Sequence, residues 1–225
     1  MTISKLYEFR AEVECAIGLL DKNAENYYSS LSLSRLLEKV NAEIATATAK
    51  ETKSTSTLNV AKRILKAAAS MNNDGLKYAV VHNGFQYFCD SFRLIALNQP
   101  LPGFPEIPEH ISAPDYSRID AEPAEQKQIE LPELAELKSW IKSKKASHKA
   151  SGAKGSPKLE YCFGESLPTV NAEYLADMLE ALPGAAATSC PMSRKVISIR
   201  FTAENGHGLL MPVRSDKNQR TDLSI

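Results

Sequence analysis

The sequence predicts an α+β chain in which two units of βαβββ type, with paired helices on antiparallel sheets, follow a set of N-terminal helices. Three observations carry this. Apolar residues recur at spacings of three and four over most of the first 70 residues. Short apolar runs divided by Asn-Gly steps follow, at 83–84 and again at 205–206. Residues 58–97 and 159–214 also share one order of elements, a short helix, a turn and a meander of about three strands. The second unit opens with a strand; no upstream segment reads as the opening strand of the first.

Leu6, Phe9, Val13, Ile17 and Leu20 fall on one face of a helix over 4–22, and Leu33, Leu36, Leu37, Val40 and Ile44 on one face of a second over 31–47. Residues 48–57 lack pattern and bulk and read as a linker. A third helix spans 58–71, with Leu58, Ala61, Ile64, Leu65 and Ala68 inward, Thr57 as its N-cap and Asn72-Asn73-Asp74-Gly75 as its stop. Its other face, Asn59, Lys62, Arg63, Lys66 and Ser70, holds three cations and no acid. Strands at 76–81, 85–89 and 92–97 complete the first unit.

Residues 99–157 change character twice. Six prolines interrupt the first part, and 104–136 hold nine acids against Arg118 and Lys127. Seven lysines then occupy 138–158 without an acid, readable as a solvated basic tether or as phosphate contacts. Between them a helix over 132–145 places Leu134, Leu137, Trp140 and Ile141 on one side, and the lone tryptophan is expected to bury its ring where that helix docks. The second unit has a strand at 159–163, a helix over 172–182 capped by Asn171, and strands at 185–189, 195–202 and 208–213, with Asn205-Gly206 turning between the last two. The divisions are therefore an N-terminal extension (1–50), a first half (57–98), an insertion (99–157), a second half (158–214) and a polar tail (215–225).

The 225 residues carry 27 Lys and Arg against 27 Asp and Glu and are 43% hydrophobic, so the chain can bury a core, and any basic surface must be local. No run of about 18 apolar residues exists, and the N-terminus lacks the apolar stretch of a secretory signal, which predicts a cytoplasmic protein with no membrane partner. Cys15, Cys89, Cys162 and Cys190 form no CxxC pair and read as reduced, buried thiols. No phosphate-binding glycine loop, HExxH, GxSxG or carboxylate pair with a partner histidine appears; the expectation is a non-catalytic protein without a cofactor.

Three motifs resemble one family. Residues Gly84 to Leu94, with Asp90-Ser91-Phe92-Arg93-Leu94 at their end, look like the T-D-G-x-R-L strand of bacterial sliding clamps, the beta subunit of DNA polymerase III, with Ser91 standing where that motif has glycine. Asn171-Ala-Glu-Tyr174-Leu175 resembles the clamp's N-x-x-Y-L helix opening, and Met211-Pro212-Val213-Arg214 its closing M-P-[MV]-R strand. The likeness covers about 100 of the 225 residues, one clamp-type domain where a clamp subunit has three. It implies a DNA clamp-like fold and a binding role, as an accessory in DNA replication or in phage or mobile-element maintenance. Carried over by position, Lys62, Arg63 and Lys66 would contact the backbone of duplex DNA, and Met211, Pro212, Val213 and Arg214 would border a groove for a replication-protein peptide. Encircling DNA would need a homo-oligomer of about six chains, near 148 kDa at 24.7 kDa each.

Two consequences stay open in the sequence. Glu173, Asp177 and Glu180 line the second unit's helix and would repel phosphate, whereas Lys62, Arg63 and Lys66 line the first and would attract it. A protein-interaction scaffold with a clamp-derived fold and no DNA binding is the alternative. Asp90 beside Arg93 reads as a structural ion pair.

Overall fold

The computed structural model describes residues 2–20, 27–52, 54–105, 107–116, 126–164, 167–193 and 196–213. In chain order the elements are α1 (Ile3–Leu20), α2 (Tyr27–Glu51), α3 (Thr55–Ala68), a 3-10 turn (Asp74–Lys77), β1 (Val80–His82), β2 (Phe85–Cys89), β3 (Arg93–Leu97), β4 (Lys127–Ile129), α4 (Leu134–Ala150), β5 (Glu160–Cys162), β6 (Thr169–Asn171), α5 (Ala172–Ala181), β7 (Ala186–Ser193), β8 (Val196–Ala203) and β9 (Gly206–Leu210). The protein is α+β: its main sheet has seven antiparallel strands in the order β1-β2-β3-β9-β8-β7-β4, and β5 and β6 form a separate ribbon.

The two meanders join through their last strands. β3 pairs antiparallel with β9, from Arg93 opposite Leu210 to Leu97 opposite Gly206. Helices α3 and α5 pack against each other and against the strands at this junction. Their apolar stripes, Leu58, Ala61, Ile64 and Ala68 on α3 and Leu175, Met178 and Ala181 on α5, are buried over Phe88, Ile95, Ile199, Phe201 and Leu210. Alternate side chains of the same strands, Tyr87, Leu94, Ala96 and Leu209, form a smaller core on the opposite face under Tyr116. Coverage on both faces explains why all five residues of β3 are buried, where a half-exposed strand would alternate. Gly208 permits the close approach of α5: a Cβ there would lie 2.8 Å from the Leu94 carbonyl oxygen and 3.0 Å from Leu182 Cδ1.

Local chemistry accounts for the boundaries. Asn83 and Gly84 take positive φ, as the two-residue turn from His82 to Phe85 requires. Asn171 Oδ1 caps α5 by accepting from the Glu173 and Tyr174 amides at 2.8 and 3.3 Å. The far end of α5 is closed from outside: the Ala181 carbonyl accepts from Thr57 Oγ1 at 3.2 Å and Asn205 Nδ2 at 2.9 Å.

Several expectations are corrected. The supposed linker is largely helical, because α2 continues to Glu51 and α3 starts at Thr55. Ala45 and Ala49 are buried against the main core, so small residues without a stripe of bulk still gain tertiary contact. Thr57 lies inside α3 and caps α5 instead of its own helix. The expected strand at 76–81 forms only from Val80, because Asp74–Lys77 is a 3-10 turn, held by the Asn73 side chain accepting from the Gly75 amide at 3.1 Å. Ala203 pairs with Gly206, so the turning residues are Glu204 and Asn205. The α4 helix runs to Ala150, through half of the expected tether, and β4 emerges inside the proline-rich acidic segment by pairing with β7. Helices α1 and α2 pair through Leu6, Val40 and Ile44, while Phe9, expected on the inward face, stays 36% exposed.

Candidate charged interface of the helix layer

The charged residues of α3, α4 and α5 lie in one layer above the sheet, with α3 and α4 both packed on α5. Glu173, Asp177 and Glu180, spaced by four and three, occupy one side of α5. Each carries a cation from a neighbouring helix. Arg63 of α3 donates to Asp177 Oδ1 through Nη2 at 2.6 Å and Nε at 3.0 Å, and through Nη2 to Glu180 Oε2 at 2.9 Å. Lys138 of α4 reaches the same Glu180 oxygen at 3.5 Å, and Lys145 reaches Glu173 at 2.6 Å. The acidic row that the sequence set against phosphate is thus matched by cations on both flanks.

Asp177 also anchors the layer to the sheet. Its Oδ2 accepts from Arg93 Nη1, and Arg93 Nε donates to Asp90 Oδ2 at 2.8 Å. Asp90 is fully buried and also accepts from the amides of Phe92 and Arg93 at 3.1 and 3.0 Å, closing the β2–β3 turn. The expected Asp90–Arg93 pair is therefore present and continues through Asp177 to Arg63. Burial pushes the Asp177 carboxyl up, opposed by Arg63 and Arg93. Partial burial pulls the Arg63 guanidinium down, and Asp177 and Glu180 more than reverse it.

Of the expected phosphate contacts, Lys62 and Lys66 are exposed and have no ion pair among the described residues. Arg63 is 45% exposed but committed to two acids, so it bridges the helices at the edge of the surface. Lone-sequence reading could not find this, because Arg63 and Asp177 are 114 residues apart.

The other expected site lies at one end of the sheet. β9 is central, between β3 and β8, and stops at Leu210, one residue before Met211 and two before Pro212. The strand expected over 208–213 ends at Leu210; Pro212, which lacks an amide proton and by sequence argues for an edge or rim, falls just beyond the ladder of an internal strand, at the sheet's rim. Met211 and Val213 are half-buried, and their amides donate to the carbonyls of Phe92 and Thr169 at 2.8 Å each. Beside them Phe92, 47% exposed, stacks on Tyr174 with ring centroids 6.2 Å apart, and Arg93 Cζ sits 4.3 Å from the Tyr174 ring centre. Arg214 lies outside the described residues. The Phe92–Tyr174 pair was not legible as part of this site, because 82 residues separate its members.

Trp140 packs edge-on to Tyr161 at 6.3 Å and is half-buried against the core, less enclosed than expected. No helix among the described residues is long and apolar enough to cross a membrane. No known protein family, no curated protein and no solved structure matches this chain.

Proposed function

We infer that this is a non-catalytic, clamp-like protein that binds the backbone of duplex DNA through its helix layer. The observation that carries the reading is the neutralisation of Glu173, Asp177 and Glu180 by Arg63, Lys138 and Lys145, which leaves Lys62 and Lys66 as uncompensated cations on an exposed helix face. Lysines on a fixed helix suit sequence-independent phosphate contact, where position along the strand matters and base identity does not. The clamp-like element of the reading draws support from three features. The last strands of two helix-plus-meander units pair with each other, the helices of those units lie side by side, and Ser91 holds a φ of 68° where the resembled motif carries glycine.

A second reading, capture of a partner peptide without DNA, is favoured by the exposed Phe92 on Tyr174 beside Met211, Pro212 and Val213. An aromatic with an apolar rim suits an extended apolar segment such as a replication-protein peptide.

Solution mass by light scattering at micromolar protein, with and without a duplex of about 30 base pairs, separates the readings. DNA binding predicts a mass increase on adding duplex, and an assembly near six chains would further favour encirclement. A mass indifferent to DNA would reject the first reading and leave the second.

A further inference from the structure

Helix α4 carries Lys138, Lys142, Lys145 and Lys149 at spacings of four, three and four, which places them in one stripe. Its orientation is fixed by two contacts: Lys138 meets Glu180 and Lys145 meets Glu173, so the stripe runs beside α5. Lys142 lies between these anchors and Lys149 one turn beyond. Both are exposed, and neither has an ion pair among the described residues. The side of α4 adjoining the stripe is held by buried Leu137 and by Leu134 and Ile141 packed on the core, with Trp140 also packed there, so the lysines stand on a docked helix.

The occupant follows from charge. Helices α3, α4 and α5 together carry eight lysines and arginines against four acids, in a chain that is neutral overall. Lys62 and Lys66 stand on α3 and Lys142 and Lys149 on α4, two rows of spare cations with the neutralised α5 between them. At about 1.5 Å per residue, Lys142 and Lys149 are separated by about 10 Å, or about three phosphates at 3.4 Å each along one strand. All four positions of the α4 stripe are lysine, without the aromatic rings on which single-stranded bases stack.

We propose that the α4 stripe is a second phosphate-binding row, with Lys142 and Lys149 contacting the backbone of duplex DNA and Lys138 and Lys145 positioning the helix against α5. The proposal rests on the DNA-binding reading and extends it to an element with no counterpart in the resembled family's motifs.

The test is fluorescence anisotropy of a labelled duplex with the full chain, titrated over a range of salt concentrations. For K142A/K149A the slope of log K against log salt should become shallower by about 1.8, from about 0.9 per phosphate contact, and K142R/K149R should restore it. Circular dichroism should give the same unfolding midpoint for all three proteins, because the replaced side chains are exposed. A wild type that binds duplex while K142A/K149A keeps the full slope would overturn the α4 row and leave the α3 surface standing. A wild type that binds no duplex would overturn both. Tighter binding to a single strand than to duplex, lost in the same variant, would overturn the duplex assignment.

Discussion

Arg63 on α3 and Asp177 on α5 meet at 2.6 Å although 114 residues separate them, and Asp177 simultaneously accepts from Arg93 at the end of β3. One carboxylate thus ties together the two paired helices and the sheet beneath them. Arg93 is 5% exposed and Asp90 is fully buried, so removing Asp177 would leave the arginine paired with Asp90 alone and take away the acceptor of its Nη1.

Asp177→Ala is therefore expected to destabilise the fold by about 2 kcal/mol, the scale for leaving a buried donor without its acceptor. Arg63→Ala should cost about 1 kcal/mol or less, because Arg63 is 45% exposed and its partners keep other cations or solvent. Urea denaturation of both variants checks the order. Equal losses would mean that the link from Asp177 to Arg93 contributes nothing beyond the surface pair.

Gly208→Ala tests the helix-to-sheet spacing. The added methyl would enter a gap already filled by Met178, Leu182 and the Leu94 carbonyl, and backbone cannot yield as a side-chain tip can. A loss of about 1–3 kcal/mol, typical of overpacking, is expected in the denaturation midpoint.

The thiols should separate by environment. Cys15 and Cys162 are exposed, which corrects the expectation of buried thiols, because each lies on an element with one face open to solvent, whereas burial pushes the Cys89 thiol up from 9.0 to about 11. Peptide-level mass spectrometry after brief alkylation near pH 8 should find Cys15 and Cys162 modified and Cys89 protected. Because the folded state disfavours the Cys89 thiolate, its stabilisation is complete below about pH 9 and is lost as pH rises toward about 11. Burial raises Tyr116 in the same sense. Unfolding free energy should consequently fall by about 2 kcal/mol over that range from Cys89 alone, and Cys89→Ala should flatten the decline.

Local signals in the chain were strong where one residue type has one geometry to offer. Asn83-Gly84 specified a tight hairpin, Asn171 specified the start of α5, and the stripe from Leu58 to Ala68 specified a buried helix face. Signals failed where a distant partner decides the outcome. β4 is a strand only because Ala187, Thr188 and Ser189 offer a ladder, and Thr57 caps a helix 124 residues away. The charges gave the largest misreading. A basic face on α3 and an acidic face on α5 look opposed in sequence, yet in the fold they neutralise one another through Arg63. The Asp90–Arg93 pair was legible because three residues separate its members, and its continuation to Asp177 was not.

The central claim is that the helix layer contacts DNA phosphates through its unpaired lysines. The most direct test is the salt dependence of duplex binding for wild type and K62A/K66A, with K62R/K66R as the charge-preserving control. The account predicts that K62A/K66A weakens binding and reduces the slope of log K against log salt by about 1.8, with the arginine variant close to wild type. A slope unchanged in K62A/K66A, or a wild type that binds no duplex at low salt, would contradict it.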